Sequence, residues 1–278
     1  MRKIVNIIVG SMRSGTTIIH RSLCQGLNTN PYISESWFLL DLLRLYKWGL
    51  ARYEIRYSDQ FGAKSNFESL IYLNVEFYLS SISVKYEDPD ILFLKHPEIS
   101  YYVNELSEMF LSFKFIVIVR DPRDVIASIH KVRQRHLKSN INSPQTKVDS
   151  IEAHCRNYFR YYDNILKNIN ALRKKIIFIK YEDFILNTKK EIDRISIFSG
   201  AEYNIEQVIN PKNFETKSLN FDKGKRLNDP LGAGFWSEDY LEPLTGKNIG
   251  NFKDILSKEE IDCIEKNLNN FGVHFKYW

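Results

Sequence analysis

The sequence predicts an α/β fold, a three-layer sandwich with a central, mostly parallel sheet flanked by helices, and three observations carry that prediction. Four short runs are rich in β-branched and aromatic residues and barely alternate, as strands covered on both faces do: 4–10 (IVNIIVG), 91–96 (ILFLKH), 113–120 (FKFIVIVR) and 175–181 (KIIFIKY). Each run is followed by a helix-like stretch, and strands alternating with helices build βαβ units. The first run leads into a glycine-framed loop of the kind that cradles phosphate, which makes the sandwich P-loop-type. The chain of 278 residues is 44% hydrophobic and is read as one domain over 1–278, with helical insertions at about 35–88 and 131–172.

In chain order, Arg2 and Lys3 precede an apolar run too short for a signal peptide, so 4–10 is a first buried strand. No stretch approaches the length of a membrane span. The loop 9–19 (VGSMRSGTTII) then opens a helix over 17–25. Further on, Asp121, Pro122 and Asp124 mark a helix start, with both aspartates as capping residues and Arg123 as a surface charge. Thr188 with Glu191, and Ser257 with Glu260, fit capping boxes. Ile261, Ile264, Leu268 and Phe271 form an apolar helical stripe that stops near Gly272. The insertion 35–88 carries Trp37, Phe38, Tyr46, Trp48, Tyr53 and Tyr57, which serve either helix packing or a surface that stacks on sugars or lines an apolar pocket for a lipid or sterol.

The net charge of +5 suits an anionic small ligand better than nucleic acid, which asks for a sharper basic stripe. Cys24, Cys155 and Cys263 are far apart and odd in number, which reads as reduced thiols in a cytoplasmic protein. No histidine spacing implies a metal.

The loop has the frame G-x-x-x-x-G-K-[ST], but Thr16 stands where the lysine belongs. Backbone N–H groups of residues 12–17 converge on an anion at a helix start, with Ser14, Gly15, Thr16 and Thr17 around it and Arg13 supplying charge. Without the lysine, a Mg-ATP site loses its main contact to the terminal phosphates. Arg120, at the end of the third strand, points into the same crevice, because ligands of open parallel sheets sit beyond the strand carboxyl ends. Ser128 follows eight residues later, inside the next helix.

The loop RSGTT (13–17) and the segment RDPRDVIAS (120–128) together resemble the sulfotransferases that use 3′-phosphoadenosine 5′-phosphosulfate (PAPS). The resemblance continues through FIKYEDF (178–184) and IGNFKDILSKEEIDCIEK (249–266), in family order over nearly the whole chain. It implies that the loop binds the phosphosulfate end, that Arg120 and Ser128 bind the 3′-phosphate, and that Tyr181 contacts adenine. It also implies that no metal takes part and that the acceptor carries a hydroxyl group. Ile18 and Phe252 stand where many members have tryptophan, and the usual basic stretch is reduced to 245–247 (TGK), which suggests a bacterial or carbohydrate-type branch.

For the general base the resemblance offers Glu35 or His96, with Glu35 favoured. Lys95 matches a lysine near the transferred group. His96 follows it directly, and a one-residue slip at a strand end turns a side chain to the other face. A P-loop small-molecule or nucleoside kinase, with Asp121 as metal ligand, and a non-catalytic nucleotide-binding protein are the alternatives.

Overall fold

The computed structural model describes residues 3–138, 140, 148, 150–210 and 244–278. Its strands are β1 (Ile4–Gly10), β2 (Ile91–Lys95), β3 (Phe113–Val119) and β4 (Ile176–Lys180). They form one parallel sheet in the order β2-β1-β3-β4. The predicted runs are the observed strands: β1 has the predicted bounds, and β2, β3 and β4 each stop one residue earlier at the carboxyl end, where the chain turns into the site. β1, β2 and β3 are buried almost throughout, which explains why their sequences are continuously apolar instead of alternating.

The helices that matter here are α1 (Thr16–Leu23), α2 (Trp37–Ala51), α3 (Lys64–Lys85), α4 (Pro122–Lys138), α5 (Ile151–Lys167), α6 (Tyr181–Leu186), α7 (Thr188–Ser199) and α8 (Lys258–Asn267). Two hydrophobic layers separate them from the sheet. On one face Val5, Ile7, Val9, Phe115 and Val117 pack on residues of α2, α3, α4 and α5. On the other, Ile8, Phe93, Ile116 and Ile118 pack on α1, α6 and α7. This is the three-layer arrangement the sequence predicts. Among the described residues no helix is long and apolar enough to cross a membrane.

Local signals are honoured unevenly. Ser257 and Glu260 form the expected capping box at α8. At α7 there is none: Asn187 is the capping position, the Thr188 hydroxyl donates to the Phe184 carbonyl, and Glu191 pairs with Arg194. Thr188 follows α6 directly, so its hydroxyl finds the last turn of that helix before it can cap the next. The P-loop helix runs from Thr16, not Thr17, to Leu23.

In the insertion 35–88 the aromatics divide. Tyr53 is buried against Phe67, and Tyr57 stacks on the same ring at 5.4 Å, so these serve packing. Trp37 and Phe38 remain half exposed.

His20 of α1 lies fully buried under the sheet end, with Nε2 against the Phe93 carbonyl at 3.0 Å. Burial, helped by the Lys95 charge, lowers its pKa from 6.5 to about 3. The unfolded chain therefore binds a proton that the folded chain refuses, so stability present above pH 6.5 is lost as pH falls toward 3. Urea unfolding is expected to show about 2 kcal/mol less stability at pH 5 than at pH 7 from this group, and His20→Gln to remove that part of the slope.

Candidate active site

The loop between β1 and α1 is shaped by its glycines. Gly10 has φ +143°, and a Cβ there would stand 2.4 Å from the Ile118 carbonyl oxygen of β3. Gly15 has φ +90°, and a Cβ there would strike the Tyr181 ring at 2.3 Å. Gly15 is also the capping residue of α1, and among the described residues the first turn has no side-chain cap. A helix start left uncapped by side chains is a ready anion site.

The Ser14 hydroxyl turns inward and donates to the Ser11 carbonyl at 2.7 Å, and the Ser14 N–H bonds the same oxygen. Ser14 thus closes the turn. Its side chain is fully buried.

Arg13 takes a positive φ of 68°, and its Nε donates to the Ser128 hydroxyl at 3.1 Å. Its carbonyl accepts from Arg120 Nη1 at 3.2 Å. The sequence pair Arg120/Ser128 and the loop therefore meet at one place. Arg120 is 7% exposed; its Nη2 donates to the Asn248 carbonyl, and its guanidinium lies 4.4 Å from the Tyr181 ring centroid. Arg120 Nε is buried with no hydrogen-bond partner among the described residues. An unpartnered buried donor, in a guanidinium backed by an aromatic ring, fits a strong anionic acceptor.

Two sequence readings around Arg120 are corrected. Asp121 does accept from the Arg123 N–H at the start of α4, but Asp124 is no cap. Its carboxylate accepts from the N–H groups of Gly250 and Phe252, at 2.8 and 3.0 Å, and ties the C-terminal segment to the site. Arg123 is no surface charge either. It pairs with Asp121 and Glu265, at 2.7 and 2.6 Å, and lies over the rings of Phe252 and Trp278.

On the β2 side the carboxylate and both basic residues come together. Lys95 is 2% exposed, and its ammonium donates to Glu35 Oε1 at 2.8 Å and to Thr17 Oγ1 at 3.1 Å. Burial pulls the Lys95 ammonium below its ordinary range, and Glu35 opposes that pull. His96 does not turn away, because the strand ends at Lys95 and the chain bends into a 3₁₀ turn, Pro97–Tyr102. Its Nε2 stands 3.9 Å from Glu35 Oε2, and Trp37 packs edge-on against its ring at 4.4 Å. Burial lowers the His96 pKa against the raising influence of Glu35, so the ring is neutral at pH 7. Nδ1 accepts from the Glu98 N–H at 3.2 Å, which places the ring proton on Nε2.

Three residues that the sequence reading passed over hold the strand ends. The Tyr162 hydroxyl donates to the Ile118 carbonyl at 2.9 Å and accepts from the Ser11 N–H at 3.2 Å. Tyr158, one turn earlier on α5, donates to the Arg120 carbonyl at 2.7 Å. Glu182 accepts from the Asp121 N–H at 2.9 Å and from the Tyr277 hydroxyl at 3.1 Å. The two tyrosines at i and i+4 were the available signal. A cavity of about 280 Å³ opens beside the loop, lined in part by Met12, Arg13, Tyr101, Ile129 and Tyr161.

Residues 7–204 match the model of the sulfotransferase family (Sulfotransfer_3), which is well over half of the chain. The chain belongs to the sulfotransferase family. Its fold is similar to the sulfotransferase domain from the curacin biosynthetic pathway, at 17% identity and a TM-score of 0.59, covering 97% of this chain and 98% of that one. It is also similar to the sulfotransferase domain of the Synechococcus PCC 7002 olefin synthase, at 17% identity and a TM-score of 0.56, covering 95% and 94%. Mouse sulfotransferase SULT7A1, complexed with PAP, matches at 13% identity and a TM-score of 0.50, covering 97% and 85%. No curated protein matches the sequence.

Proposed function

We propose that this sulfotransferase uses PAPS and moves the sulfuryl group to an acceptor hydroxyl, with Glu35 as the general base. The observation that carries the reading is the Glu35–Lys95–Thr17 chain of hydrogen bonds, which holds a carboxylate beside the first turn of the phosphate-loop helix. The donor supplies an activated sulfuryl group whose leaving phosphate must be stabilised. In this reading Arg13 and the uncapped N–H groups of α1 hold that phosphate, and well-placed donors of this kind contribute about 2–4 kcal/mol each. Arg120 and Ser128 hold the 3′-phosphate, and Tyr181 lies where the adenine enters.

Glu35 is preferred to His96 on protonation. An imidazole with Nδ1 bonded to a backbone N–H and its proton on Nε2 has no free lone pair for the acceptor's proton. Glu35 Oε2 has one, and the side chain is 34% exposed. A hydroxyl lodged beside both groups accepts from His96 Nε2–H and gives its proton to Glu35 Oε2.

The kinase reading is disfavoured by Asp121. Both of its carboxylate oxygens bond the Arg123 guanidinium, which leaves it poorly placed as a metal ligand.

Thermal unfolding with 3′-phosphoadenosine 5′-phosphate (PAP), beside ATP plus Mg²⁺, tests the reading. At a hundred times its dissociation constant, PAP is expected to stabilise the fold by about 2.7 kcal/mol. A shift with ATP plus Mg²⁺ and none with PAP would overturn the proposal. PAP binding without transfer of sulfate from PAPS to any hydroxyl acceptor would leave a nucleotide-binding protein.

A further inference from the structure

Helix α3 buries Phe67, Ile71, Val75, Leu79 and Ile82 against the core. Its opposite face is apolar as well: Leu70, Leu73, Phe77 and Val84 are 43%, 62%, 74% and 79% exposed. Their spacing of three, four and seven residues places them on one stripe, as in a two-helix seam, with the small Ser80 and Ser81 completing it. The stripe runs about 21 Å along the helix at 1.5 Å per residue. Phe38, half exposed on α2, packs tilted against the Tyr78 ring at 5.4 Å and widens the patch. Single exposed apolar residues such as Ile197 are ordinary, but an aligned set marks a contact surface.

The composition of the face selects among occupants. Between Asn66 and Val84 there is no lysine or arginine, and the charges present are Glu68 and Glu76. Anionic lipid surfaces and nucleic acids are recognised through cations, so neither suits this face. The stripe is instead complementary to itself. Leu70 and Val84 stand seven residues to either side of Phe77, so an antiparallel two-fold with Phe77 on its axis sets Leu70 of each copy against Val84 of the other. The ends match in charge. Lys64 is exposed at the start of the helix, and Glu87 and Asp90 are exposed just beyond its end. Lys85, also at that end, leans over the Tyr86 ring at 5.3 Å.

We infer that the protein is a homodimer in which the outer stripe of α3 packs antiparallel on the same stripe of a second copy. Sedimentation from about 1 to 100 μM, the range that resolves interfaces of ordinary size, tests this. The wild-type chain is expected to run at twice the mass of one copy. The double substitution Leu73→Glu with Phe77→Glu is expected to weaken association at least about 100-fold, because it buries like charges at the axis. Both side chains are mainly solvated, so the circular dichroism of that variant is expected to stay unchanged. Ile197→Glu, on α7, is expected to leave the dimer intact.

A wild-type monomer at the top of the range, a persistent dimer in the double variant, or a dimer dissolved by Ile197→Glu would each overturn the inference. A wild-type monomer that floats with neutral phosphatidylcholine vesicles would overturn it too and give the face to a membrane. PAP binding is independent of all these outcomes.

Discussion

Glu35→Gln is expected to lower kcat by about 10²–10⁴-fold while leaving PAP affinity unchanged, the usual range for loss of a general base. The amide keeps the shape of the side chain and an oxygen for the Lys95 ammonium, now 2.8 Å from Oε1. What it loses is the ability to take a proton. His96→Asn makes the opposite comparison. If the imidazole donates from Nε2, an amide N–H replaces that donor, and the loss is smaller than for Glu35→Gln. If His96→Asn is the more damaging variant and Glu35→Gln keeps most of kcat, Glu35 is not the base.

This contrast shows how far the sequence reaches. The strands were legible because burial on both faces leaves continuous apolar runs, and the loop because a glycine frame has few other uses after a strand. That Arg120 meets the loop followed from parallel-sheet topology, and Ser128 was added to it by the family resemblance. The protonation of His96 was not legible, because it depends on one backbone N–H, that of Glu98, brought round by a 3₁₀ turn. Asp124 misled for a related reason. A carboxylate in a first helical turn reads as a local interaction, and Arg120 does stand 3.8 Å away, yet its hydrogen-bond partners, Gly250 and Phe252, lie more than 120 residues away. Arg123 likewise reads as solvent-facing until Glu265 and two rings arrive from the far end of the chain. Local chemistry fixes elements, and long-range contacts decide what their polar residues do.

Arg120→Ala is expected to abolish the PAP-induced stabilisation, weakening PAP by about 100-fold or more, as loss of a charged partner to a phosphate costs roughly 3 kcal/mol. Arg120 is the buried guanidinium at the end of β3 whose Nε has no partner among the described residues, so an incoming phosphate meets an unspent donor on a cation whose carboxylate neighbour, Asp124, stands 3.8 Å from Nη2. The substitution also releases the carbonyls of Arg13 and Asn248, so the apo protein will lose some stability. The informative quantity is therefore the difference with and without PAP in each protein, which cancels the folding cost. Arg120→Lys refines the argument. Lysine restores the charge but not the planar fork, which can bond Arg13, Asn248 and a phosphate at once while stacking on Tyr181. Partial recovery by lysine would assign the site to charge, and no recovery to the fork. Full PAP binding in Arg120→Ala would move the 3′-phosphate elsewhere, and with it the reading of 120–128 as a phosphate-binding segment.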